Sequence, residues 1–124
     1  MNISSLNAHQ AAAPVAVVTG AAQGIGRACA LQLAARGLKL VAVDLDQTAL
    51  DELRRDLGPD CLTVRADVST PAGVQTYVEQ ALGRFGRIDY LHNNAGIEGR
   101  ATLLNESDFE QYRRVMAVNV DSVY

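Results

Sequence analysis

The sequence predicts an α/β protein whose core is a doubly wound parallel sheet. Three observations carry that prediction. Four short apolar runs begin near residues 15, 38, 61 and 88, and each is followed, directly or after a loop, by a stretch of helical periodicity. The runs are continuously apolar rather than alternating, the pattern of strands buried on both faces. Between the first run and the first helical stretch stands a glycine-rich turn.

The first strand is expected at residues 15–18, Val15-Ala16-Val17-Val18, and leads into Thr19-Gly20-Ala21-Ala22-Gln23-Gly24-Ile25-Gly26. Gly26, Cys29, Ala30 and Leu33 then recur at i, i+3, i+4 and i+7, marking a first helix that runs to about Arg36 and stops at Gly37. A glycine turn between a buried strand and a helix is a phosphate-binding device. The first N–H groups of a helix lack intrahelical partners, and the positive end of its dipole lies there. In this reading Gly20 permits the sharp turn, Gly24 lets the backbone approach a pyrophosphate, and Gly26 lets the helix pack closely on the sheet. The spacing is G-x-x-x-G-x-G, not the common G-x-G-x-x-G. On these eight residues alone, a tight turn without a ligand remains the alternative.

The second strand is expected at residues 38–43, with Asp44 at its carboxyl end. A second helix over residues 47–57 places Leu50, Leu53 and Leu57 on one face and pairs Asp51 with Arg55 on the other, before Gly58-Pro59 breaks it. Residues 61–65 form a third strand, followed by Asp67-Val68. Ser69 or Thr70 caps a third helix that has Pro71 in its first turn and Val74, Tyr77, Val78, Ala81, Leu82 and Phe85 on its apolar face. Gly86 ends it. Residues 88–92 form a fourth strand leading into Asn93-Asn94-Ala95-Gly96. After a loop to Asn105, Ser107-x-x-Glu110 reads as a capping box for a fourth helix, with Phe109, Tyr112 and Met116 on its apolar side. Right-handed crossovers in a nucleotide-binding half then give a Rossmann-type sheet of four β-α units in the order 3-2-1-4. It reads as one incomplete domain over residues 14–124, behind a flexible extension at residues 1–13.

Composition narrows the partners. The chain has 124 residues, 48% hydrophobic, with a net charge of -3, enough for one domain with a core. Its ten arginines and one lysine are scattered, so no basic patch points to nucleic acid. No apolar run approaches the ~18 residues of a membrane span, and residues 1–13 lack the pattern of a signal peptide. Cys29 and Cys61 read as small core residues, with a redox pair as the alternative. The isolated His9 and His92 make no zinc site, so no metal is expected. A cytoplasmic protein is expected.

Asp44 stands 18 residues after Gly26, where a Rossmann unit places its ribose-binding acid. Its carboxylate can accept from both hydroxyls of an adenosine ribose and repels a 2′-phosphate. Gln23 and Leu45 are neutral, and no nearby base offsets the charge. That favours NAD over NADP, the alternative being a solvated acid at a strand end.

Four motifs stand in order: the turn at residues 19–26, Asp67-Val68, Asn93-Asn94-Ala95-Gly96, and Asn119 within Val118-Asn119-Val120. With them the chain resembles the short-chain dehydrogenase/reductase family over about residues 14–124. The resemblance implies that Thr19, Gly20, Gln23, Gly24, Ile25 and Gly26 serve cofactor binding together with Asp44. It implies that Asp67 meets the adenine amine, that Val68 lines the adenine pocket, and that Asn94, Ala95 and Gly96 lie beside the cofactor ribose, Asn94 tied back near Thr19. Asn119 matches the asparagine that interrupts the fourth helix and holds a water in the proton relay. Without the family, these asparagines read as turn-formers and a helix-terminal residue.

The family's catalytic serine and Tyr-x-x-x-Lys pair normally follow beyond the position of Asn119. None of Tyr77, Tyr90, Tyr112 and Tyr124 has a lysine four residues on, and the only lysine is Lys39. The expectation is therefore the NAD-binding part of an oxidoreductase acting on a small alcohol or ketone, inactive as these 124 residues alone and homo-oligomeric in its complete form. The alternatives are a non-catalytic module that binds nucleotide or a partner, and a fragment that does not fold.

Overall fold

The computed structural model describes residues 12–124. Most of the extension expected at residues 1–13, His9 included, lies outside them. The elements follow as β1 (Val15–Thr19), α1 (Gly24–Ala35), β2 (Lys39–Asp44), α2 (Gln47–Leu57), β3 (Leu62–Arg65), α3 (Pro71–Phe85), β4 (Tyr90–His92) and α4 (Phe109–Asn119). One-turn 3₁₀ helices at Leu104–Glu106 and Asp121–Val123 flank α4. The four strands form one parallel sheet in the order β3-β2-β1-β4, the Rossmann-type order expected for right-handed crossovers in a nucleotide-binding half.

The alternation of side chains along each strand divides the core into two layers. Ala16 and Val18 of β1 and Leu40 and Ala42 of β2 face Ala30 of α1 and Leu50 and Leu53 of α2. The intervening Val15, Val17, Val41 and Val43 face Tyr77 and Ala81 of α3, with Val64 beside them. Both faces are therefore apolar, which is why these strands lack an alternating pattern. The paired layers also explain why β1 and β2, at the centre, are the most deeply buried segments.

The helix ends follow local chemistry. Asp46 caps α2 by accepting the Ala49 N–H at 3.0 Å. Thr70, one of the two expected caps, accepts the Gly73 N–H at 3.0 Å, and Pro71 follows in the first turn. Gly37, Gly58 and Gly86 close α1, α2 and α3 with φ of +88°, +82° and +74°, a backbone region that favours glycine.

Several local expectations differ. The cap of α4 is Asp108, whose Oδ1 accepts the N–H groups of Glu110 at 2.7 Å and Gln111 at 3.3 Å. Ser107 instead ends the preceding 3₁₀ turn, its hydroxyl donating to the Leu104 carbonyl at 2.7 Å. Asp51 accepts from Gln47 Nε2 at 2.9 Å in place of the expected pair with Arg55. The ion pair on that side of the protein is Arg27 with Asp56, joining α1 to α2. Leu82 fits the apolar template of α3 yet is 45% exposed, because Tyr77 and Ala81 fill the contact with the sheet. Strand β4 is shorter than expected. At its start the Asp89 carboxylate accepts the Val15 N–H at 2.8 Å and three bonds from the Arg87 guanidinium.

Cys61 is buried just before β3, and burial pushes its thiol up to about 11, leaving it inert as a nucleophile. Cys29 is half-buried on α1, and both thiols are free. Among the described residues no helix is long and apolar enough to cross a membrane.

Candidate functional site

Because every strand is parallel, all four carboxyl ends open on one edge of the sheet. The chain leaves β1 towards β2 and β3 on one side, while β4 lies on the other. Such a reversal of strand order leaves a crevice outside the strand ends. A cleft of about 370 Å³ occupies that place. Of the residues singled out from sequence, Gly20, Gln23, Asp44, Asp67, Val68, Asn94, Ala95 and Gly96 line it together.

The glycine turn is tightly built. Gly20 and Gly24 have φ of +63° and +56°. A Cβ on Gly26 would lie 2.1 Å from the Gly20 carbonyl oxygen and 2.6 Å from Asn94 Nδ2. Gly26 therefore allows α1 to pack against the turn and Asn94, a closer neighbour than the sheet itself. A Cβ on Gly24 would meet nothing within 4 Å, so that position is open above the start of α1. The first turn of α1 has neither a side-chain cap nor an acidic residue, whereas Asp46, Thr70 and Asp108 cap the other three α-helices. Its N–H groups are left to an external acceptor.

Thr19 does not reach the cleft. It is buried at the end of β1, where its Oγ1 accepts the N–H groups of Asn94 and Ala95, each at 3.1 Å. Asn94 Nδ2 in turn donates to the carbonyls of Thr19 at 3.1 Å and Gly20 at 3.2 Å. These four bonds clamp the glycine turn to the loop after β4, the tie between Asn94 and Thr19 that the resemblance implies. The Ile25 side chain also points elsewhere. It is 74% exposed and lines a separate apolar groove with Tyr90 and Leu91.

Asp44 holds its own loop in shape, Oδ2 accepting the Ala22 N–H at 3.0 Å and Oδ1 the Asp46 N–H at 3.1 Å. A carboxylate offers about four acceptor sites, which leaves room for two further donors. Asp67 Oδ1 accepts the Ser69 N–H at 3.0 Å and its hydroxyl at 2.6 Å, turning the chain into α3. A Cβ on Gly73 would lie only 1.8 Å from the Asp67 carbonyl oxygen, so a glycine inside α3 is what permits this approach. Asn119 stands at the last turn of α4. Its Oδ1 accepts the Ile97 N–H at 2.8 Å and its Nδ2 donates to the Ile97 carbonyl at 2.9 Å, closing the loop after Gly96.

Two arginines were not singled out from the sequence. Arg114 lines the cleft with Ala117 and Val118, and the spacing of three and four puts them on one face of α4. Arg65 corrects the expectation that no base stands near Asp44. It is the register partner of Asp44 on β3, and its Nε donates to the Leu45 carbonyl at 3.1 Å. Pairing of β2 with β3 creates this neighbour, 21 positions away in the chain. None of the four tyrosines lines the cleft. Lys39 begins β2, at the opposite edge of the sheet, with its Nζ 5.6 Å from the Phe85 ring centre.

A family model described as short chain dehydrogenase matches residues 14–124. Over 121 residues the chain is 40% identical to 11-beta-hydroxysteroid dehydrogenase A of Sesamum indicum, covering 94% of this chain and 35% of that protein. Over 115 residues it is 39% identical to levodione reductase of Leifsonia aquatica, covering 89% and 43%. The structure of a 3-ketoacyl-(acyl-carrier-protein) reductase from Brucella melitensis complexed with NADH superposes with a TM-score of 0.86 at 39% identity, over 90% of this chain and 46% of that one. A short chain dehydrogenase/reductase from Burkholderia phymatum in complex with NAD gives 0.85 at 42% identity, over 90% and 40%. The chain thus spans less than half the length of these relatives.

Proposed function

The chain belongs to the short chain dehydrogenase family, and from that premise we propose that it is the NAD-binding part of an oxidoreductase that transfers hydride between NAD and a small alcohol or carbonyl compound. The observation that carries the proposal is the cleft together with the start of α1 beside it. One edge of the sheet gathers an uncapped helix start, an open glycine position and an acid at the end of β2. These features suit the binding of a dinucleotide. The N–H groups at the start of α1 take the pyrophosphate, and a side chain on Gly24 would fill the space that this needs. Asp44 uses its two remaining acceptor sites for the adenosine ribose and disfavours a 2′-phosphate. Val68 and Asp67 border the adenine, while Asn94, Ala95 and Gly96 form the wall beside the ribose. Asn119, through its hold on Ile97, positions the loop that closes the cleft and orients a water of the proton relay.

The bound cofactor supplies the hydride chemistry, and the protein supplies position and proton transfer. The proton-transfer group is the part these residues lack. A phenol with a lysine four residues on is absent from the sequence, and the only lysine lies at the far edge of the sheet. That observation favours a second reading for the 124 residues taken by themselves, namely nucleotide binding without turnover.

Titration calorimetry of the 124-residue chain with NAD tests the proposal. Saturable binding is expected, and Gly24→Val should abolish it while circular dichroism shows a folded protein. Strain from the left-handed backbone should cost ~1–2 kcal/mol of stability in that variant. A folded Gly24→Val chain that binds NAD normally would overturn the phosphate cradle.

A further inference from the structure

Asp44 and Arg65 are register partners on neighbouring strands, so their backbones lie about 4.8 Å apart and their side chains leave the same face of the sheet. Arg65 is exposed, and among the described residues it forms no ion pair. Its Nε–H bond to the Leu45 carbonyl holds the guanidinium against the loop that follows Asp44, and Leu45 itself lines the cleft. The guanidinium has five N–H donors in a fixed fork. The bond to Leu45 uses one of them.

We infer that Arg65 is a second determinant of cofactor choice, acting against Asp44 by offering a cation to a 2′-phosphate on the adenosine ribose. The inference rests on the cofactor reading proposed above and deepens it. The acid at the end of β2 raises the cost of a third phosphate, and the base at the end of β3 lowers it. The site is therefore a weak discriminator that prefers the unphosphorylated ribose yet admits the phosphorylated one. The bond to Leu45 matters because it anchors the base of the guanidinium and leaves its outer nitrogens to reach the ligand. Arg65 touches the ligand's added phosphate and nothing that reacts, so it is a specificity residue and not a catalytic one.

ADP-ribose and 2′-phospho-ADP-ribose are suitable probes, because they differ by the one phosphate and need no turnover. Both are titrated calorimetrically into the unmodified chain, Arg65→Gln and Arg65→Lys. Arg65→Gln should weaken 2′-phospho-ADP-ribose by about tenfold, the scale of one charge-assisted hydrogen bond, and leave ADP-ribose within about twofold. Arg65→Lys keeps the charge and should hold the phosphorylated probe within about threefold of the unmodified chain, since a phosphate also accepts a point cation. Equal losses for both probes would mean that Arg65 only shapes the Leu45 loop, and would overturn the inference. So would an unchanged ratio in Arg65→Gln, or an unmodified chain that binds ADP-ribose but not its phosphorylated form. If the unmodified chain bound neither probe, the cofactor reading itself would fall, and the role of Arg65 with it.

Discussion

At the scale of single residues, the two carboxylates of the cleft hold the backbone that they also present to a ligand. Asp44 ties down Ala22 and Asp46, and Asp67 ties down Ser69. Replacing Asp44 therefore changes charge and loop shape together, and asparagine is the gentlest substitution because it keeps an acceptor oxygen. Asp44→Asn should narrow the preference for NAD over NADP by ~1–3 kcal/mol, the usual cost of an unfavourable charged contact. The ratio of the two dissociation constants measures this. A preference equal to that of the unmodified chain would remove Asp44 from cofactor selection. Residues such as Asp44 and Asn94 were legible because their sequence neighbours announce a turn or a strand end. Arg65 and Gly73 were not. Arg65 meets Asp44 through strand register, and Gly73 meets the Asp67 carbonyl through the approach of α3 to the loop before it. Neither relation leaves a local pattern.

Elements were legible wherever apolar residues recur with one period over a full turn or more, which is why α2 has the expected bounds, and the strand order follows from right-handed crossovers combined with the nucleotide-binding glycine turn after β1. Their ends were less so. Ser107 and Asp108 are both good caps, and the 3₁₀ turn before α4 decides between them by occupying Ser107. Asp108→Ala should lower stability by ~1 kcal/mol, and Ser107→Ala by less, because only the former orphans N–H groups of α4. Urea unfolding of both variants distinguishes them, and equal effects would restore Ser107 as the cap. A second element-scale device is the start of β4, where the Arg87 guanidinium and then the Val15 N–H hold the Asp89 carboxyl below the usual carboxylate range. The folded state then binds fewer protons than the unfolded one near that range. Its contribution is present above the ordinary value of 3.8 and lost as pH falls through the lower folded value. The melting temperature should consequently fall less steeply below pH 3.8 in Asp89→Asn than in the unmodified chain. Parallel acid limbs would show that the carboxylate plays no part in holding β4 to β1.

At the scale of the whole molecule, the sheet is well covered on one side of its switch point and open on the other. Strands β1 and β2 are buried, but all three residues of β4 are exposed, with Tyr90 at 60% and Leu91 at 48%. An apolar groove runs beside them against α1, bordered by Ile25. No residue of α4 is buried, and Phe109 and Tyr112 stack on each other while remaining 66% and 56% exposed. An edge strand with unpaired backbone groups and no lysine or proline to blunt it invites pairing with another chain. Contiguous apolar surface beside it adds to that tendency. The 124-residue chain should therefore self-associate at micromolar concentration and unfold over a broad range, while turning over no alcohol or ketone with NAD. A positioned phenol acid typically contributes 10²–10⁴-fold in rate, and no tyrosine lies in the cleft to supply it. Sedimentation velocity, thermal unfolding and NADH absorbance on a panel of alcohols and ketones check the three claims separately. Leu91→Lys, which places a charge on the β4 edge, should shift the chain towards monomer without weakening NAD, because Leu91 lies outside the cleft. A monomeric unmodified chain with a sharp transition would refute the reading of β4 as an associating edge. Reproducible turnover would show that proton transfer has a route through residues other than a tyrosine and lysine pair.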